Sequence, residues 1–357
     1  MTTTAAPPIA LALSGGGIRA MAFHLGVLKR MAERGLLERV TRLSTVSGGS
    51  LLMGLLYRSN DFRWPTSQQF LDRIYPSVGE QLCSRSLQAG AFLQLLRPWN
   101  WRFCLSRANL LALELRKNWG LNVPLSAISL SPEWSINGTT AENGKRFRFK
   151  GAEIGDWELG YAQAPSFPFG SALAVSAAFP IGFGPLTLRT DAHAWKKRAW
   201  DAPKGSEQVV DIGTKRLHLY DGGLYDNLGA EPFFHPGKQQ PKNAGDYIIV
   251  SDAGAPLPLG LCSGPLNPFR IKRMMEIMSE QSRSLRIRAF TNYLQANPGA
   301  GAQLLIGTPV TGPNCAEARF ARSFPTSLKR LSRADFERLA GHGHDVARDT
   351  EMRFGLA

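Results

Sequence analysis

The chain has 357 residues, 43% of them hydrophobic and 20% charged, with a formal net charge of +14. That length exceeds the roughly 250 to 300 residues at which a single core stops growing, so the expectation is one α/β core with insertions, spanning residues 8–357 as a single domain. No run of about eighteen apolar residues occurs, and residues 1–8 carry no basic flank, which argues against a spanning helix and against a secretory signal.

The first predicted element is an apolar strand, Ile9-Ala10-Leu11-Ala12-Leu13, which stops at Gly15-Gly16-Gly17 and restarts as a helical pattern from Ala20. Strand, glycine loop and helix N-terminus make an anion site: unobstructed N–H groups and the positive helix end both stabilise negative charge. A dinucleotide, a nucleotide triphosphate or the oxyanion of acyl transfer could sit there. The next strand, residues 40–46, ends in Ser47-Gly48-Gly49-Ser50 rather than in the acid that a dinucleotide ribose requires, and no Lys follows the glycines at Walker spacing. A glycine-flanked serine between strand and helix has the form of a nucleophile elbow, which makes Ser47 the candidate nucleophile. Thr45 stands where the G-x-S-x-G pattern has its first glycine.

Residues 61–130 leave the alternation of strand and helix and turn rich in Trp, Arg and Leu, as in Leu96-Arg97-Pro98-Trp99-Asn100-Trp101-Arg102. This reads as an insertion whose tryptophans either lie at a membrane interface or pack as a helical cap over the site. Residues 134–140 and 145–150 flank Asn143-Gly144 and predict a hairpin. Residues 215–220 alternate as a half-buried strand that delivers Asp221-Gly222-Gly223. On its own this is an Asx-turn closing a hairpin; an aspartate at a strand end backed by two glycines can also approach another loop closely. Residues 246–252 predict a buried strand. Ile271, Met274, Met275, Met278 and Leu285 recur at helical spacing with Arg270, Lys272, Arg273, Arg283, Arg286 and Arg288 between them. A basic amphipathic helix of this kind can lie on a membrane; the favoured expectation is an apolar stripe packed on the sheet with the arginines reaching outward. Residues 303–310 predict a late strand, and residues from about 313 to 357 a C-terminal extension.

Glycine loop, serine elbow and Asp-Gly-Gly in this order resemble the patatin-like phospholipase family. The resemblance rests on Gly15-Gly16-Gly17-Ile18-Arg19, Ser47-Gly48-Gly49, Ala174-Val175-Ser176-Ala177-Ala178-Phe179-Pro180 and Asp221-Gly222-Gly223, and it covers roughly residues 8–254. It implies a three-layer α/β/α fold with a largely parallel central sheet and a helical insertion. It also implies a serine lipid acyl hydrolase of phospholipase A or lysophospholipase type, with a Ser47–Asp221 dyad in place of a histidine triad. Gly15, Gly16 and Gly17 then supply the oxyanion hole, with Arg19, Gly48, Gly49, Gly222 and Gly223 as supporting residues and no metal or cofactor. The rival is a noncatalytic membrane-binding protein that retains the fold; a weaker one is a nucleotide-binding protein.

Six histidines, His24, His193, His218, His235, His342 and His344, leave room for a triad member, His218 and His235 being nearest to Asp221 in sequence. Gly341-His342-Gly343-His344-Asp345 lacks the partners of a zinc site and is expected to be a solvated loop. Cys83, Cys104, Cys262 and Cys315 show no paired spacing, as expected of buried, reduced thiols in a cytoplasmic protein. The cationic excess favours a polyanionic partner. With no helix-turn-helix or RNA-recognition signature, an acyl-ester lipid substrate on an anionic membrane surface is expected, with peripheral association and no nucleic acid.

Overall fold

The computed structural model describes residues 6–180, 183–199, 201–203, 205–257, 259–260, 267, 269–310 and 316–356. In chain order the strands are β1 (Ile9–Leu13), β2 (Val40–Thr45), β3 (Glu133–Thr140), β4 (Arg146–Lys150), β5 (Glu153–Asp156), β6 (Gly160–Gln163), β7 (Leu186–Arg189), β8 (Trp195–Lys197), β9 (Gln208–Val209), β10 (Arg216–Asp221), β11 (Phe234–His235), β12 (Gln240–Pro241), β13 (Tyr247–Asp252) and β14 (Gly301–Leu305). The helices are α1 (Gly17–Glu33), α2 (Gly48–Arg58), α3 (Ser67–Gln69), α4 (Tyr75–Ser84), α5 (Leu87–Leu93), α6 (Ala108–Asn118), α7 (Phe169–Ser176), α8 (Gly223–Asp226), α9 (Phe269–Ala296), α10 (Ala316–Ser323) and α11 (Arg333–Phe354).

The sheet runs β14-β13-β1-β2-β3-β4-β5-β6-β8-β9, with β10 joined to β3 and β7 joined to β10. Its first five strands are parallel and carry the site; from β4 onward the pairing is antiparallel, beginning with the expected β3–β4 hairpin. β1 is buried along its whole length because helices cover both faces, the condition under which a parallel strand reads as an unbroken apolar run. Its alternation still sorts the layers. Ile9, Leu11 and Leu13 face the large core with α1, α2 and α11, whereas Ala10 and Ala12 face a smaller cluster with Phe234, Phe290 and Tyr293. No helix among the described residues is long and apolar enough to cross a membrane.

Three expectations need correction. Residues 341–345 lie inside α11, not in a solvated loop. A Cβ on Gly343 would stand 2.1 Å from the Phe23 carbonyl oxygen, and one on Gly26 would stand 1.8 Å from that of Ala340, so the glycines let α11 and α1 touch backbone to backbone. The stripe on α9 is largely inverted: Ile271, Met274, Met278 and Leu285 are exposed and Met275 is half-buried, while Arg283 and Arg286 turn inward to Asp252 and Glu231. Of the cysteines, Cys104 is exposed and Cys83 half-buried, both free; Cys262 and Cys315 fall outside the described residues.

Candidate active site

β3 brings together residues that are far apart in sequence. β2 runs parallel to the first half of β3 and ends with Thr45 opposite Ile136; β10 runs antiparallel to the second half and ends with Asp221 opposite Gly138. The other edge of β3 is taken by β4. β2 and β10 therefore share one edge and meet end to end, so the elbow after β2 and the turn after β10 open into the same gap.

Ser47 occupies that gap with φ 50° and ψ −118°, a conformation that costs a non-glycine residue about 1–3 kcal/mol and persists only where its surroundings impose it. They do so here. Its N–H lies 3.1 Å from both the carbonyl and the hydroxyl oxygen of Ser176, Val46 N–H donates to Leu13 at 3.1 Å, and Gly49 N–H donates to Val46 at 2.9 Å. A Cβ on Gly48 would fall 2.3 Å from the Gly17 carbonyl oxygen, so the two loops interlock only through glycine. Ser47 is also the N-cap residue of α2, and its side chain is partly exposed while its neighbours are buried.

Thr45 fits because its hydroxyl enters a buried polar chain. Trp134 Nε1–H donates to Thr45 Oγ1 at 2.9 Å, Thr45 and Ser50 hydroxyls are 2.7 Å apart, Ser50 and Ser176 hydroxyls 2.8 Å apart, and Ser176 donates to the Asn137 carbonyl at 2.7 Å. Both ends fix the direction: indole donates at one end and a carbonyl accepts at the other, so each hydroxyl passes its proton from Thr45 toward Asn137. Ser176, the last hydroxyl, is the group that accepts the Ser47 N–H. Asn137 adds two bonds, from Nδ2 to the Thr45 carbonyl at 3.0 Å and to Ser44 Oγ at 2.9 Å.

Asp221 is 3% exposed. Burial pushes its carboxyl up to about 7, while the hydrogen bond from Gly223 N–H and the nearby Ser47 side chain act in the other direction, favouring the ionised form. The Gly223 bond is 2.7 Å long, and the Asp221 backbone is held by Ala178 and by the Thr139 hydroxyl. The pair thus consists of a hydroxyl on a strained turn and a carboxylate poised to gain or lose a proton near neutral pH.

The glycine loop stands on the third side. Gly16 (φ 146°) and Gly17 (φ 61°) adopt backbone conformations that residues with side chains rarely take, and α1 starts at Gly17. Gly15 N–H is engaged by the Asn227 carbonyl at 3.1 Å and Ile18 N–H by Ser327 at 2.7 Å. Among the described residues, the N–H groups of Gly16 and Gly17 have no such partner. Of the three expected donors, these two are free to meet an anion. Arg19 binds two carbonyls, those of Ala253 at 3.1 Å and Phe324 at 2.6 Å, and its burial lowers the guanidinium to about 10. It ties the loop to β13 and to the segment before α11.

The histidines lie elsewhere. His24 is buried between Ser251 and the Ser14 carbonyl, and desolvation lowers it to about 4, so it is neutral. His342 bonds the Ile306 carbonyl, His344 pairs with Glu33, His218 with Glu142, and His235 is exposed. Among the described residues none contacts Ser47 or Asp221. Sequence reasoning missed Asn137 and Asn227. Asn137 stands mid-strand with no motif to mark it. The Asn227 Oδ1 would lie 2.4 Å from a Cβ on Gly15 and 2.8 Å from one on Gly223, so it fills the space between the loop and the Asp221 turn.

A family model described as patatin-like phospholipase matches residues 11–234. Among curated relatives, cytosolic phospholipase A2 zeta of Mus musculus is 42% identical over 81 residues, 23% of this chain and 9% of that protein. Lysophospholipase 3 of Saccharomyces cerevisiae is 40% identical over 78 residues, 19% of this chain and 11% of that one. These matches therefore span only about a tenth of the relatives' length. The structure of human GIVD cytosolic phospholipase A2 superimposes with a TM-score of 0.55 at 18% identity, over 97% of this chain and 59% of that one, a likeness of fold. With its family model matched over more than half of its residues, the chain belongs to the patatin-like phospholipase family.

Proposed function

We propose that this protein is a serine hydrolase of lipid acyl esters, of phospholipase A or lysophospholipase type, using Ser47 and Asp221. The observation that carries the reading is the meeting of a strained, partly exposed Ser47 with a buried Asp221 whose carboxyl lies at about 7. Ser47 Oγ attacks the ester carbonyl carbon as its proton passes to Asp221, and the carbonyl oxygen becomes an oxyanion facing Gly16 and Gly17 N–H. Each such donor is worth about 10² to 10³ in rate. The C–O bond to the lipid alcohol breaks, Asp221 returns the proton to the leaving oxygen, and an acyl-serine remains. Water then attacks the acyl carbon while Asp221 takes its proton; the fatty acid departs and Ser47 regains a proton.

In this reading residues 61–130 form an insertion beside the cleft, residues from about 313 to 357 an extension of the same domain, and the protein works in the cytoplasm on an anionic membrane surface. The test is mass spectrometry of products from mixed phospholipid vesicles incubated with wild type and with Ser47→Ala. Fatty acid plus lysolipid from wild type alone supports the hydrolase. No product from either folded protein, with Ser47 inert to a fluorophosphonate, would favour the noncatalytic membrane-binding alternative.

A further inference from the structure

α9 changes polarity along its length. Its C-terminal half packs Ile287, Phe290, Tyr293 and Leu294 against the sheet, in the ordinary sense of an amphipathic helix. Arg283 marks the boundary: it binds both carboxylate oxygens of Asp252, the last residue of β13, and the Gly254 carbonyl. Because α9 runs antiparallel to β13, the residues before Arg283 project past the carboxyl edge of the sheet. From Ile271 to Arg283 that is about 18 Å at 1.5 Å per residue.

On this overhang the apolar residues face outward. At about 100° per residue, Ile271, Met274, Met278 and Leu285 form one stripe opposite Arg283, Ile287 and Phe290. They are 65%, 64%, 71% and 60% exposed, where burial on the sheet was expected. Arg270, Lys272 and Arg273 outnumber Glu276 and Glu280 on these turns, which leaves the overhang a small cationic excess. The glycine loop is adjacent: a Cβ on Gly16 would lie 3.0 Å from the Ala253 oxygen, one residue beyond the Asp252 that Arg283 holds. A second apolar and basic patch follows α5, where Leu93, Leu96, Trp99, Trp101 and Leu105 are exposed among Arg97, Arg102 and Arg107. α5 is tied to the glycine loop through Leu328, next to the Ser327 that caps Ile18.

We infer that the overhanging half of α9 is a membrane seat, which lays Ile271, Met274 and Met278 into the acyl boundary of an anionic bilayer and sets the cleft against it. The inference rests on the hydrolase reading for the location of the cleft. An outward apolar stripe with cations beside it matches the interfacial helix, in which buried apolar area and attraction to anionic headgroups add.

The experiment is flotation with phosphatidylglycerol/phosphatidylcholine vesicles, comparing wild type with Met274→Gln/Met278→Gln and with Arg270→Glu/Lys272→Glu. Each double variant should lower vesicle partition about tenfold or more and reduce vesicle hydrolysis in parallel, while turnover of a monomeric short-chain ester stays at the wild-type level. The charge variant should lose nothing on vesicles of phosphatidylcholine alone. Undiminished partition of the methionine variant would overturn the inference, as would a concentration-dependent dimer that this variant abolishes. Failure of the hydrolase reading is separable, since wild type would then leave the monomeric ester intact whatever its partition.

Discussion

In the proposed mechanism only the ionised form of Asp221 can take the Ser47 proton, so the carboxyl at about 7 dictates the pH dependence of acylation. For a single group at about 7, the ionised fraction is about 0.9 at pH 8 and about 0.1 at pH 6. The value of kcat/KM for a soluble ester should therefore fall about tenfold from pH 8 to pH 6, and labelling of Ser47 by a fluorophosphonate should follow the same curve. An aspartate at its ordinary value of about 3.9 would leave both nearly flat across that range. A flat profile, or a midpoint near 4, would refute the argument from burial.

The same group makes a stability prediction of definite sign. The folded state raises the carboxyl from 3.8 to about 7, so between those values the folded protein keeps a proton that the unfolded chain has released. Stability from this group is complete below about 4 and is lost as pH rises toward 7. At about 1.4 kcal/mol per unit, the loss is on the order of 4 kcal/mol. Asp221→Asn can still accept from Gly223 N–H but escapes that loss. It should abolish hydrolysis while raising Tm above wild type at pH 8, with the gap closing by pH 4 in a thermal melt. A variant no more stable than wild type at pH 8 would mean that the carboxylate is better solvated than its burial implies.

Thr45→Val keeps the shape but strands Trp134 Nε1–H and breaks the hydroxyl chain to Ser176; about 1–3 kcal/mol of stability and a drop in kcat larger than the change in KM are expected, with Thr45→Ser restoring both in melts and steady-state kinetics. Gly26→Ala drives a methyl into the Ala340 carbonyl and should cost about 3 kcal/mol or more in urea unfolding, with Gly343→Ala behaving alike. His218→Ala removes a surface pair with Glu142 and should leave ester turnover at the wild-type level; a folded but inactive His218→Ala protein would overturn the dyad.

Of the candidate site, Ser47, Asp221 and the glycine loop were legible as positions because each sits at a strand end marked by glycines, a local signature of a chain forced to turn tightly. What holds them was not. Asn137, Ser176 and Thr45 act through hydrogen bonds between segments separated by more than thirty residues, and nothing in their immediate sequence marks a buried polar partner. That the Gly15 N–H, expected as a donor to the oxyanion, is engaged within the fold was hidden for the same reason, since the carbonyl that takes it belongs to Asn227. α9 failed differently. Periodicity located the helix and its apolar stripe but not which face meets the protein, because that depends on Asp252 and Glu231 drawing Arg283 and Arg286 inward. A helix whose inward face is held by buried ion pairs is free to show its apolar face to another medium. For a family named for phospholipases, that makes the outward stripe the part of α9 most in need of a test.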